Sequence, residues 1–319
     1  MPELPEVEVV RAGLAPAVSG AVVRGVEVFD ERSLKRHNEA SGSFEALLLE
    51  QRMLAAVRRG KFLWVPLSSG RALVTHLGMS GQVLLRSPGF EESGLLRIRL
   101  AIEHPEHGEF WVNFVDQRIF GSMAVDWLIP TEDGAAGGFA GAEQHSVEQH
   151  SAEQHSAEQH GAAPWTLSIP SQVAHIGRDP LDPAFSDTRF FAALSRKNTG
   201  IKRALLDQRL VSGIGNIYAD EALWAARIHY EQPASSLSAQ KKRVLLTEVR
   251  HVLDKALAEG GTSFDAQYVN VNGNSGYFAH SLNAYGQQGN ACPRCGTLVK
   301  REQFMNRGSH FCPRCQRLR

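Results

Sequence analysis

The chain has 319 residues, enough for about two domains, and with 43 % hydrophobic and 21 % charged side chains its makeup is that of an ordinary globular protein. No run approaches the ~18 apolar residues of a membrane span, and no basic-then-apolar leader opens the chain, so the expected location is the cytoplasm. The 34 basic residues balance the 34 acidic ones, which taken whole argues against a nucleic-acid binder. The balance is uneven, however: from Asn290 to Arg319 there are seven Lys or Arg and one acid, Glu302, a local excess able to neutralise phosphates.

In chain order, MPELPEVEVV comes first, with glutamates at 3, 6 and 8 ahead of any apolar run. Val7, Val10, Leu14 and Val18 recur at helical spacing, and Pro5 and Glu6 suit a first turn, which predicts a helix from Pro5 to about Val18. Residues 21–29, 44–67, 71–86, 95–102 and 109–128 read as strands joined by glycine-containing turns, giving one helix followed by a β-sandwich. From Glu143 to Ala162 runs a five-residue repeat with His145, His150, His155 and His160. A period of five gathers these histidines on no face of a helix or strand, so a solvated low-complexity linker is favoured over a metal site. Helical periodicity returns at 185–197, 199–209, 216–228 and 236–260; within this half Gly213 and Gly215 make a tight turn or a close backbone approach. The expected domains are 1–130 (β-sandwich), 131–182 (linker), 183–288 (helical) and 289–319 (metal finger). The fold class is α+β multidomain.

All four cysteines lie in the last segment, Cys292 and Cys295 in one C-x2-C and Cys312 and Cys315 in another. Paired knuckles at this separation favour tetrahedral zinc over two disulfides, given a reducing compartment, and over a redox motif, given no βαβ pattern nearby. Four thiolates leave no open coordination position, so one structural Zn2+ is expected, and it folds a segment too short for a core of its own.

MPELPEVE, RRGKFL (58–63), HLGMSG (76–81), DQRIFG (116–121), GIGNIYADEAL (213–223), SGYF (275–278) with AYG (284–286), and the terminal cysteine pairs occur in one order. Together they resemble the bacterial formamidopyrimidine-DNA glycosylases, over nearly the whole chain except about 131–165. The resemblance implies an N-terminal β-sandwich, a helix–two-turn–helix module and a zinc finger. It also implies excision of oxidised purines from damaged double-stranded DNA, followed by strand cleavage, by an expected monomer.

The resemblance also gives the opening residues roles. Removal of Met1 would leave Pro2 with a free secondary amine, and an α-amino group titrates near 7.7–8.0 against about 10.4 for lysine. Pro2 is the implied nucleophile. Glu3 matches the general acid/base, Glu6 a second acid that orients the first helix, and Lys61 a lysine offering charge or proton transfer. Glu8 reads as a helix N-terminal acid. A duplex base must leave the stack to react. Met79, Arg118 and Phe120 match the residues that fill the hole, with Arg118 able to donate to the orphaned cytosine. Lys202, Asn216 and Arg307 match phosphate-gripping positions, and the loop around Asn272–Tyr277 matches one that covers the flipped base.

Two positions depart from the family pattern. Leu95 stands where many members have a phosphate-contacting histidine, and Ile119 where some have arginine. Both swaps lose a polar contact, which predicts weaker binding and not its loss. Two rival functions are a sister glycosylase acting on oxidised pyrimidines and a non-catalytic lesion-binding protein. ELPEV at the start favours the purine branch, and the joint presence of Pro2, Glu3 and Lys61 favours an enzyme. A zinc-ribbon RNA-binding protein would leave the N-terminal motif unexplained.

Overall fold

The computed structural model describes residues 2–92, 94–141, 164–262, 271 and 277–319. The histidine repeat and most of the loop expected over the flipped base therefore lie outside the described residues. The chain divides into two compact units, one of Met1–Pro2, Val7–His175 and Ala266–Asn274, the other of Glu3–Glu6, Ile176–Asp265 and Ser275–Arg319.

In the first unit, helix α1 (Leu4–Val18) buries Val7, Val10, Leu14 and Val18, the spacing read from the sequence. Two antiparallel sheets follow. One has the order β1–β6–β7–β5 and is built from Val22–Val28, Leu96–His104, Gly108–Asp116 and Gly81–Arg86; the other, β2–β3–β4–β8–β9, uses Val57–Arg59, Phe62–Pro66, Arg71–His76, Ser122–Pro130 and Ser168–Pro170. Val23, Ile98, Leu100 and Phe114 from the first sheet share a core with Leu63, Val65, Leu73 and Val125 from the second, so the sandwich is as expected. Residues 44–48 are the exception: Phe44–Leu48 is a short helix, α2, and not strand. Ser43 caps it by accepting the Ala46 N–H, and only Phe44 and Leu48, one turn apart, are buried. The expected linker boundary also shifts. Phe139 bridges to Arg58, and β9 adds an edge strand to β8, so the described parts of 131–175 belong to the sandwich.

The chain passes from one sheet to the other in HLGMSG, between β4 and β5, and back in DQRIFG, between β7 and β8. Since β5 pairs with β7 and β4 with β8, with Gly81 opposite Asp116 and His76 opposite Ser122, these crossings run side by side.

The second unit contains α3 (Asp187–Ser195), α4 (Ile201–Leu205), α5 (Asn216–Ala226) and α6 (Ala239–Ala258). Ser186 and Ser238 cap α3 and α6. Leu194, Leu205, Tyr218, Leu223, Leu245, Leu253 and Phe278 form its core, and Leu4 belongs to it. A hairpin, β10 (Lys300–Phe304) and β11 (Arg307–Phe311), carries the cysteine-rich end.

Candidate active site and nucleic-acid interface

The second unit seats Glu3 on the open end of α5. The helix begins after Gly215, which has no side chain to cap it. The Glu3 carboxylate takes that place: Oε2 accepts the N–H groups of Gly215 (2.6 Å) and Tyr218 (3.3 Å), and Oε1 that of Ile217 (2.9 Å). Unpaired N–H groups and the positive end of the helix dipole suit an anionic oxygen there. The glycines admit this approach. A Cβ at Gly215 would overlap the Glu3 carboxylate, and one at Gly213, held at φ +86°, would stand 2.7 Å from Leu4.

Glu6 is a strap. Its Oε2 accepts the Glu3 N–H at 2.8 Å, the reciprocal bond of a helix start. Its Oε1 accepts the Tyr218 hydroxyl (2.6 Å) and both the N–H and hydroxyl of Thr262 (2.8 Å each). Burial, then the charges of Glu6 and Glu3, push the Tyr218 phenol well above its usual range, so it stays a donor. Glu8, in the first unit, pairs with Arg11 and Arg58, each at 2.9 Å.

In the first unit Pro2 is buried, and Lys61 is buried in the turn joining β2 to β3. His76 ends β4 with its ring 4.8 Å from that of Phe62. Burial, followed by the charges of Arg36, Lys61 and Lys35, lowers its pKa to about 4, and neutral Nδ1 accepts the Gly78 N–H at 3.1 Å. Lys35, Arg36 and Lys61 thus create a positive field beside β4 that suits phosphate. Met79 is half-buried in HLGMSG; Arg118 and Phe120 are exposed in DQRIFG, with the guanidinium 4.8 Å from the ring centre. Leu95 is 38 % exposed, and Ile119 adopts φ +55°.

Lys202, Asn216 and Arg307 come together at the zinc hairpin. Asn216 Nδ2 and Lys202 Nζ both donate to the carbonyl of Gly308, at 3.1 and 3.2 Å, next to exposed Arg307. Lys202 differs from the expectation of a phosphate contact. It is fully buried, its ammonium 2.7 Å from Asp220, and burial lowers its pKa against the pull of that carboxylate. An enclosed, paired ammonium can hold the hairpin but cannot reach solvent.

Several functional supports were not singled out from the sequence. Asp220 also accepts from Ser309 Oγ and His310 N–H, tying β11 to α5. Glu221, buried beside it, accepts the N–H groups of Asn283, Ala284 and Tyr285. Burial raises its pKa, which those three N–H groups oppose. Their signal was two adjacent acids inside an apolar helix, YADEAL, where one must face inward. Asp116 and Ser80 lay unremarked within the two loop motifs.

The four Sγ atoms of Cys292, Cys295, Cys312 and Cys315 lie within 4.8 Å of one another, and Cys295 and Cys312 are 3.5 Å apart. A tetrahedral ZnS4 centre with ~2.3 Å bonds spaces sulfurs about 3.8 Å apart, so the cluster fits one structural zinc. Trp224 Nε1–H donates to Cys292 Sγ at 3.4 Å, and Arg294 lies over the Trp224 ring while donating to the Trp224 carbonyl near the end of α5. Such contacts outside the ligand set fix the ligands.

The sandwich thus carries exposed Arg118 and Phe120 on a loop beside HLGMSG, and the helical unit a carboxylate on a helix start and four cysteines placed for zinc. Comparison with known proteins identifies the family. Residues 1–123 match the formamidopyrimidine-DNA glycosylase N-terminal domain, 176–267 its H2TH domain, and 289–318 the zinc finger found in FPG and IleRS. The formamidopyrimidine-DNA glycosylase of Leifsonia xyli subsp. xyli is 64 % identical over 100 % of both chains, and that of Thermobifida fusca 48 % over 99 % of this chain and 97 % of its own. The MutM (FPG) crystal structure from Thermus thermophilus superposes with TM-score 0.74 at 33 % identity, covering 100 % of each chain. A Lactococcus lactis FPG complex with Fapy-dG-containing DNA gives 0.74 at 26 %, covering 99 % of this chain and 100 % of that one. The chain belongs to the formamidopyrimidine-DNA glycosylase family, whose members are bifunctional glycosylase and AP-lyase enzymes of base excision repair. Among the described residues no helix is long and apolar enough to cross a membrane.

Proposed function

We propose that this enzyme, acting as a monomer on cytoplasmic DNA, excises oxidised purines such as 8-oxoguanine and formamidopyrimidines from duplex DNA and then cuts the strand through a Pro2 iminium. The Pro2 nitrogen attacks sugar C1′, the base leaves with the C1′–base bonding pair and takes a proton from solvent, and the Glu3 carboxylate removes the proton of the Pro2 amine. Glu3 passes that proton to the ring oxygen as the ring opens, leaving a cationic iminium between C1′ and Pro2. That electron sink acidifies the C2′ proton, whose removal expels the 3′ phosphate; a second elimination expels the 5′ phosphate. Lys61 stabilises charge or moves a proton in these steps. Met79, Arg118 and Phe120 fill the vacated stack. Asn216 and Arg307 grip the backbone, and Lys202 serves them by fixing the Gly308 carbonyl.

The observation that supports this most is the Glu3 carboxylate, one residue after Pro2, held on the N–H groups of Gly215, Ile217 and Tyr218 at the start of α5. The test is borohydride trapping on a duplex with 8-oxoguanine opposite cytosine, with peptide mapping and the Pro2→Gly variant. A covalent adduct on Pro2 of the wild type, lost in the variant, is expected. An adduct formed only with an oxidised pyrimidine would move the enzyme to the sister specificity, and tight binding with neither adduct nor cleavage would leave a lesion-binding protein. Arg307→Ala should weaken binding to all sequences alike and reduce the salt slope by about 1, read by fluorescence anisotropy at several salt concentrations.

A further inference from the structure

We propose that Asp116 is a positioning residue that locks Met79, Arg118 and Phe120 into one rigid wedge, an inference that rests on the reading of those three side chains as void fillers. Asp116 is 1 % exposed at the end of β7, where the chain leaves one sheet for the other. Its carboxylate serves both crossings. Oδ1 accepts the hydroxyl of Ser80 from HLGMSG (2.5 Å) and the N–H of Arg118 (3.1 Å), and Oδ2 accepts the N–H of Gly121 (2.7 Å). Ser80 Oγ accepts the Arg118 N–H as well, at 3.1 Å. The loop from Arg118 to Gly121 is thus bracketed at both ends by one side chain, and the same side chain holds the residue after Met79.

Two further observations show that the crossings are fitted to each other. Gly78 sits at φ +64°, and a Cβ there would stand 2.7 Å from the Phe120 carbonyl oxygen, so the two backbones touch. Ile119, between the two exposed wedge residues, is held at φ +55°, a conformation that a β-branched residue adopts only when its surroundings impose it. Lys35 supplies part of that restraint by donating Nζ–H to the Ile119 carbonyl at 2.9 Å. The arrangement turns Arg118 and Phe120 outward together. A wedge set before binding avoids ordering two loops during base extrusion.

The experiment is a double-mutant cycle between Asp116→Asn and Met79→Ala, with Ser80→Ala as a milder cut that spares the bonds from Asp116 to its own loop. Three quantities are read. One is single-turnover excision from an 8-oxoguanine·cytosine duplex. Another is the fluorescence of 2-aminopurine placed opposite a tetrahydrofuran abasic analogue, which reports void filling without chemistry. The last is borohydride trapping on a single-stranded abasic oligonucleotide, which has no void to fill. Asp116→Asn is expected to slow excision at least tenfold and blunt the 2-aminopurine change while trapping on the single strand stays within twofold. Met79→Ala is expected to cost much less in the Asp116→Asn background than in the wild type, and Ser80→Ala to fall between. Equal losses on duplex and single strand, or independent effects of the two substitutions, would overturn the inference. A wild type that excises nothing would sink the functional reading, and the 2-aminopurine cycle would still decide the role of Asp116.

Discussion

A methyl group at position 215 tests the seat of Glu3. Gly215 has φ −124°, which alanine adopts freely, so Gly215→Ala adds no backbone strain. Its Cβ would nonetheless collide with the carboxylate at the end of a flexible side chain, and that end must move off the helix start. Gly215 is buried, so crowding the Glu3 carboxylate and stripping its bonds from the helix start should also cost about 1–3 kcal/mol of stability. Excision should fall by an order of magnitude or more, because a misplaced acid is a poor proton donor at the sugar oxygen. Thermal melting alongside single-turnover kinetics measures both. His76 gives a pH signature. The unfolded chain takes a proton on this histidine near pH 6.5, the folded one only near pH 4. Between those values the unfolded state binds more protons, so stability rises with pH and is lost as pH falls through the window. One such group gives at most ~1.4 kcal/mol per pH unit, less here because the ring is only half-buried. His76→Gln keeps an acceptor for Gly78 and should flatten the slope from pH 4 to 6.5, measured by urea unfolding across that range.

At the scale of elements, α5 joins the pieces of the second unit: its start holds Glu3, Asp220 holds Lys202 and β11, and Glu221 holds 283–285. Lys202→Met removes the ammonium from a carboxylate that is 1 % exposed and keeps its bonds from Ser309 Oγ and the His310 N–H, and breaking such a buried ion pair costs about 3–5 kcal/mol. The double variant with Asp220→Asn should recover part of that loss, because the stranded charge is gone; chemical denaturation of the three proteins checks the order. The sequence made α5 and α6 readable because their apolar positions recur every three to four residues. It misleads at Phe44–Leu48, where an apolar run too short to show a period reads as strand and folds as helix. It named Glu3 and the GIGN turn separately, yet nothing local signals that residues 212 positions apart share a hydrogen bond. Lys202 looked like any basic helix residue, because burial of an ion pair is decided by a partner 18 residues away.

Among the described residues the sandwich and the helical unit each have an apolar core of their own, and the cysteine cluster lies in the second unit. The domain order was legible because each part has its own periodicity or metal spacing, whereas the sandwich's continuation through β9 was hidden by a three-residue strand. This separation predicts an uneven response to chelation. The cysteine cluster has little hydrophobic support, with Val299 and the flank of Trp224 beside the thiols. Metal binding should therefore supply most of its folding free energy. Prolonged treatment with a strong zinc chelator should release one metal equivalent and change the emission of Trp224, whose indole N–H donates to Cys292. It should also loosen the hairpin that carries Arg307. DNA affinity should drop at least tenfold, while the pH-dependent stability assigned to His76, which lies in the other unit, stays as it was. Loss of both together would mean that the sandwich depends on the metal, contrary to a zinc role confined to the finger. Retained affinity after complete zinc release would remove Arg307 from the DNA-binding surface.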